Sequence, residues 1–179
     1  PKERGPEVIR QLKSLGIHKV VMMTGDSDRI AGAIAGTVGV DEYYSEVLPE
    51  DKAKFVENEK KSGRRVIMIG DGINDSPALS EASVGIAISD GAEIAREIAD
   101  VTISADDLYE IATLKRLSDA MVRRINKNYH MIVGINTGLI LLGVAGVFRP
   151  TMSALLHNTS TILISLKSME NLLDAGTKL

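Results

Sequence analysis

Apolar residues in the first hundred positions recur with two alternating periods. Val8, Ile9, Leu12 and Leu15 fall at helical spacing, and Gly16 closes that run. Val20 to Met23 is a short continuous apolar stretch, which predicts a buried strand ending at Thr24-Gly25-Asp26. The pattern then predicts a helix from Ile30 to Val38 stopped by Gly39, a short strand from Glu42 to Val47, and a charged helix from Pro49 to Lys61 with Ala53 and Val56 facing inward. A strand at Val66 to Ile69, a helix around Ala78 to Ala82, a strand at Val84 to Ile88, a helix near Ile94 to Ala99 and a short strand at Val101 to Ile103 complete the series. Continuous apolar strands separated by amphipathic helices indicate an α/β fold, with a parallel sheet covered on both faces.

Beyond residue 106 the pattern changes. Asp107 is placed to cap a helix running to about Asn128, whose basic end suits the helix dipole. Tyr129 to Phe148 then carries no formal charge over about 20 residues, the length that crosses a bilayer core. Arg149-Pro150 forms a turn, and Thr151 to Leu166 is a second uncharged run, long enough to span if Lys167 snorkels. The expected organisation is an α/β domain over 1–128, then two transmembrane helices in 129–179, at about 129–148 and 151–173. A buried helical hairpin is the competing reading. Arg123, Arg124 and Lys127 before the first run, with Lys167 and Lys178 after the second, place both ends and the α/β domain in the cytoplasm of an integral membrane protein, in the plasma or inner membrane.

The second run is unusually polar. At about 100° per residue, Ser153, His157, Ser160, Thr161, Ser165 and Ser168 share one face. Such residues normally face protein or a water-filled path, or bond back to their own helix. One partner helix, carrying Asn136, Gly134, Gly138 and Gly143, is too little to cover the stripe, so further membrane helices are expected. Asn136, His157, Asn158 and Thr161 are the candidates for contacting a transported cation.

Composition narrows the partners. The formal net charge of −3 gives no reason to expect nucleic acid, Arg123, Arg124 and Lys127 form the one basic cluster, and with aromatics at 3% and no Trp a base-stacking platform is not expected. No cysteine is present, so disulfides and thiolate metal sites are excluded. A chain that opens at Pro1 without Met, leader or apolar stretch reads as a piece of a longer one.

The chemistry gathers at three places on successive strand ends. Thr24-Gly25-Asp26 offers a hydroxyl and backbone N–H groups suited to phosphate oxygens. Lys52, in Pro49-Glu50-Asp51-Lys52, is a compact positive charge in the first turn of a helix. Asp71, Asn74 and Asp75 follow the strand Val66–Ile69 in the run GDGINDSPAL, with hard oxygen donors suited to Mg²⁺ beside a phosphate. Each signal taken alone is an ordinary turn or a solvated lysine; their order is that of a phosphoryl-transfer site.

MTGD, then PEDK, then GDGINDSPAL resembles the phosphorylation domain of P-type ATPases, and the similarity extends over essentially the whole chain. The resemblance implies a Rossmann-like, haloacid-dehalogenase-type parallel sheet with flanking helices. It implies that Thr24 and Gly25 contact an aspartyl-phosphate, that Asp26 lies near the hinge and nucleotide, and that Lys52 pairs with the phosphoryl group. Asp71 would ligate Mg²⁺, Asn74 would contact phosphate oxygens and Asp75 would support the metal site. A closing pair of helices is similar to the heavy-metal-transporting branch, which implies ATP, a heavy-metal or other divalent cation, the lipid bilayer and the remaining pump domains and helices as partners.

One departure is large. The family's nucleophile lies in an Asp-Lys-Thr-Gly-Thr motif, which this sequence lacks; Asp26-Ser27-Asp28 is its nearest imitation and already serves another motif. The chain is therefore expected to be the C-terminal part of a pump, inactive alone. The alternatives are a membrane-anchored, non-catalytic Mg²⁺- or phosphate-binding regulatory module and a soluble phosphatase of the same fold. His157-Asn158-Thr159-Ser160-Thr161 lacks the Met-x-x-Ser-Ser of copper types and the Asp-x-Gly of zinc/cadmium types. It is similar to the cobalt-type His-Glu-Gly-x-Thr at His157 and Thr161 only. Imidazole and oxygen donors favour a borderline or hard divalent ion, with cobalt, zinc, manganese and iron all open.

Overall fold

The computed structural model of the chain describes residues 5–70, 73–88, 97–103 and 109–172. It divides into two compact units, Pro1–Thr113 and Leu114–Leu179.

The first unit is α/β. Helix α1 (Gly5–Ser14) buries Val8 and Leu12, as their spacing requires. Strand β1 (Val21–Met23) leads into α2 (Asp28–Val38), which ends where Gly39 adopts φ 78° and returns its N–H to the Ala35 carbonyl. That left-handed cap is open to glycine without a Cβ penalty. Strand β2 (Glu42–Tyr44) is followed by α3 (Pro49–Lys61), whose Pro49 opens the first turn and whose last turn carries Lys60 and Lys61. Strand β3 (Ile67–Gly70), a single 3₁₀ turn (Ile73–Asp75), α4 (Ser76–Glu81), β4 (Val84–Ile88) and β5 (Val101–Ile103) follow.

Among the described residues all strand pairings are parallel, as expected from the apolar runs, but they form two sheets. β1 pairs with β2, with Val21 opposite Glu42. β3 pairs with β4 and β4 with β5, with Ile67 opposite Val84 and Ile86 opposite Val101. β4 is the middle strand of its sheet and contributes buried Ile86 and Ala87 to the core. Helix α4 lies very close to it: a Cβ built on Gly85 would stand 2.7 Å from the Leu79 carbonyl oxygen, so this approach tolerates no side chain.

The expected strand over Glu42–Val47 stops at Tyr44, because Glu46 turns the backbone to φ 54°. The helix expected near Ile94 and the capping residue Asp107 lie outside the described residues, apart from a helical Glu97–Ile98.

Asp41 ties three elements together just before β2. Its Oδ1 accepts from Lys13 Nζ at 2.6 Å and its Oδ2 from the Val20 N–H at 2.8 Å. The Lys13 hydrogen bond, then the Val20 N–H, hold the Asp41 carboxyl below the usual carboxylate range. A depressed folded-state pKa gives stability that is present above the unfolded value, near pH 3.9 for Asp, and lost as pH falls through the folded one. The thermal midpoint should therefore drop in that acid window, and Asp41→Asn should make its pH dependence shallower in a pH series of melting curves.

The second unit is helical. Helix α5 (Tyr109–Val144) begins in the first unit and runs without interruption past Asn128, where a boundary was expected. Gly146, at φ 73°, turns the chain after it. Arg149 and Pro150 then start α6 (Pro150–Ser168), so the predicted pair of helices joined at Arg149-Pro150 is present. Their expected role as transmembrane spans is not met: among the described residues no helix is long and apolar enough to cross a membrane. α5 ends four residues short of Phe148, and Tyr129, His130, Asn136 and Thr137 dilute its apolar stretch. The apolar sequence of α6, though not the helix itself, is broken by the polar run His157–Thr161. Absence of formal charge is a weaker property than continuous apolarity, and only the former holds here.

Candidate functional site

The turn after β1 is held by its own atoms and by the strand beside it. The Thr24 N–H donates to the Tyr44 carbonyl at 3.0 Å, and the Thr24 carbonyl accepts from the Val47 N–H at 3.0 Å. The Thr24 hydroxyl donates to Asp26 Oδ2 at 2.9 Å and accepts from the Asp26 N–H at 3.2 Å. Glu46 donates its N–H to the Asp26 carbonyl at 2.9 Å from its left-handed backbone. The Thr24-Gly25-Asp26 turn is thus fixed to Glu46–Val47, directly before α3. Asp28, the second carboxylate of Asp26-Ser27-Asp28, is the first residue of α2 and accepts from the Ser45 hydroxyl at 3.1 Å. An open cleft of about 360 Å³ lies beside the turn, lined by Met23, Tyr44, Val47 and Phe55 among others, but neither Lys52 nor Asp75 reaches it.

Lys52 leaves the first turn of α3, its N–H bonded to the Leu48 carbonyl at 3.2 Å. Its ammonium meets Asp75 Oδ1 at 2.7 Å, and the two side chains are only 14% and 11% exposed. Asp75 closes the 3₁₀ turn that follows β3. A Cβ on Gly70, the last residue of β3, would lie 2.6 Å from Asp75 Cβ and 2.8 Å from its Oδ2. The carboxylate therefore rests directly on the bare backbone at the C-terminal end of a parallel strand, where open α/β sheets bind ligands. Next to it, the buried Ser76 hydroxyl has no hydrogen-bond partner. Asn74 is exposed. Asp71 lies outside the described residues, and among those described no group of three His, Cys, Asp or Glu is placed to hold a metal.

Lys52 and Asp75 are thus brought into contact, while Thr24 and Asp26 bond to each other. Residue-by-residue reading missed two features. One is Gly70, whose need is steric and whose only trace in the sequence is its place before Asp71. The other is the direct Lys52–Asp75 pair: each residue was assigned to a phosphate or a metal, not to the other.

In the second unit, His157 Nδ1 and Asn136 Oδ1 are 2.7 Å apart, joining α6 to α5. With that oxygen as acceptor, Nδ1 is the donor, and in the neutral ring Nε2 then has a free lone pair. The Thr161 and Ser160 hydroxyls donate back to the His157 carbonyl at 2.9 and 2.8 Å. Asn158 is exposed. Ser153 reaches the Leu139 carbonyl at 3.5 Å and Ser168 accepts from Asn128 at 2.6 Å. Ser153, His157 and Ser168 of the polar stripe thus reach α5, Ser160 and Thr161 bond back to their own helix, and Leu155, Leu156, Ile162, Leu163 and Leu166 are exposed.

The chain has counterparts among known proteins. Residues 1–83 match the haloacid dehalogenase-like hydrolase family. The chain is 40% identical over 159 residues to a manganese-exporting P-type ATPase of Mycobacterium leprae (strain TN), covering 88% of this chain and 22% of that protein. It is 46% identical over 155 residues to copper-transporting ATPase 2 of Rhizobium meliloti (strain 1021), covering 87% and 18%. The crystal structure of a zinc-transporting PIB-type ATPase in the E2.Pi state superposes with a TM-score of 0.86 at 31% identity, over 93% of this chain and 27% of that one. The chain carries a haloacid dehalogenase-like hydrolase domain, and its relatives are named heavy-metal P-type ATPases. It spans about a fifth of the length of the curated relatives it matches.

Proposed function

We propose that this chain is the C-terminal portion of an ATP-driven heavy-metal cation pump. Residues 1–128 would form the latter part of its phosphorylation domain, on the cytoplasmic side of a membrane, and 129–179 its closing helices. The observation that carries this reading is the Lys52–Asp75 pair, shielded from water and seated on Gly70 at a parallel strand end. A fixed ammonium at that position offsets charge on a transferring phosphoryl group in a medium where the effect is large. The N–H groups and hydroxyl of the Thr24–Asp26 turn would bind and orient phosphate oxygens, and Asn74 would add an amide donor. Asp75, a hard oxygen donor resting on a glycine, fits Mg²⁺ together with Asp71. When bound there, the ion would neutralise phosphate charge. The accepting aspartate would come from elsewhere in the intact protein, since this sequence holds no Asp-Lys-Thr-Gly-Thr.

For the transported ion we favour a divalent, borderline cation such as manganese, zinc, cobalt or iron(II) over copper(I). His157 Nε2 and the amides of Asn136 and Asn158 supply nitrogen and oxygen, and no thiolate is available in this chain. The same missing nucleophile favours a second reading, a non-catalytic Mg²⁺- or phosphate-binding regulatory module. ATP hydrolysis by the intact protein, measured with each of these ions, separates the two. The pump reading expects stimulation by at least one ion and a changed metal affinity in His157→Ala. No ATP hydrolysis with any of these ions would favour the module.

A further inference from the structure

Ion pairs are distributed unevenly. All those among the described residues lie at or before Asp119, from Lys13–Asp41 to Lys115–Asp119. Four cations then gather where α5 passes the end of α6, around a cleft of about 230 Å³. One of them, Arg124, is committed to structure. Its guanidinium donates to the Ser168 carbonyl at 3.0 Å, to the Asn171 carbonyl at 2.9 Å and to the Glu170 carbonyl, closing the C-terminal end of α6. The other three, Arg123, Lys127 and Lys167, are exposed and have no hydrogen-bond or ion-pair partner among the described residues. Glu170 also lines the cleft but forms no ion pair there among those residues. Three exposed cations around one cleft, facing a single carboxylate, make it attractive to an added anion.

The surroundings indicate what kind of anion. Lys127 is the last charge on α5, and Lys167 is the first on α6. Between them both helices expose apolar side chains, including Ile132, Val133 and Ile140 on α5 and Leu155, Leu163 and Leu166 on α6. Met131 lines the cleft at this junction. A small free anion would use only the charges, whereas an amphiphile uses both surfaces. We propose that Arg123, Lys127 and Lys167 receive the phosphodiester headgroup of an anionic phospholipid, with its acyl chains along the adjoining apolar faces.

The test is co-sedimentation of the 179-residue chain with vesicles of phosphatidylcholine alone or of phosphatidylcholine mixed with phosphatidylglycerol. The wild-type chain should partition preferentially to the phosphatidylglycerol vesicles, and salt should weaken that preference. The triple variant Arg123→Gln, Lys127→Gln, Lys167→Gln should lose about fivefold per cation, roughly a hundredfold in all. A control with the same charge change elsewhere, Lys54→Gln, Lys61→Gln, Arg65→Gln, should keep most of the binding. Equal partition of the wild-type chain to both vesicles would overturn the proposal, and that arm depends on no variant. So would equal losses in the two triple variants, or displacement of the vesicles by inorganic phosphate at matched phosphate concentration, which would identify a free-anion site.

Discussion

Lys52→Met should destabilise the α/β unit by about 3 kcal/mol in urea denaturation, the low end of the range for breaking a buried ion pair by removing one partner. The magnitude follows from what remains. Asp75 Oδ1 loses its 2.7 Å partner, and its carboxylate stays only 11% exposed, pressed against the Gly70 backbone. An unpaired charge so placed cannot recover its hydration without opening the turn. The double variant Lys52→Met, Asp75→Asn should recover most of the loss and fall within about 1 kcal/mol of wild type, because no charge is then stranded. Losses that simply add would show the two side chains to be energetically independent, and the ion pair would not be the organising contact of the site.

Gly70→Ala should act on the same carboxylate from the other side. The new methyl would sit 2.6 Å from Asp75 Cβ and 2.9 Å from its Cγ, well inside van der Waals contact. Either Asp75 moves or the strand end does, at a cost of about 1–3 kcal/mol for overpacking. Displacement of about 1 Å at a catalytic group is enough to cost roughly a hundredfold in rate. In the intact protein this variant should therefore lower the rate of phosphorylation by ATP by about two orders of magnitude. Unchanged phosphorylation with lowered stability would separate the packing role of Gly70 from any role in positioning Asp75.

Much of the fold could be read from the chain, and the failures have physical causes. The apolar run at Val84 located β4 because a strand buried on both faces leaves a continuous signature, and the run at Val20 located β1, which is only half-buried. Their division between two sheets left no trace, because pairing is a relation between segments and no run of residues encodes it. Glu42–Val47 seemed long enough for a longer strand, but the bend at Glu46 is a backbone state that its side chain does not announce. The break expected at Asn128 followed a change in composition, yet α5 contains no proline between Tyr109 and Val144 and continues through it. For the hairpin, counting uncharged residues overstated apolarity, since His157, Asn158, Thr159, Ser160 and Thr161 are neutral but polar. Thr24, Lys52 and Asp75 stand out in the sequence as candidates by their types and order. The contact between Lys52 and Asp75, 23 positions apart, does not.

Phosphoenzyme formation tests the central claim most directly, that one phosphoryl-transfer site is assembled from these strand ends. The intact protein would be incubated with labelled ATP and Mg²⁺, quenched in acid and assayed for acyl-phosphate in wild-type, Lys52→Ala and Asp71→Ala forms. The account predicts stable, Mg²⁺-dependent labelling of the wild type, none in Asp71→Ala and a severe loss in Lys52→Ala. Wild-type labelling in both variants would contradict it.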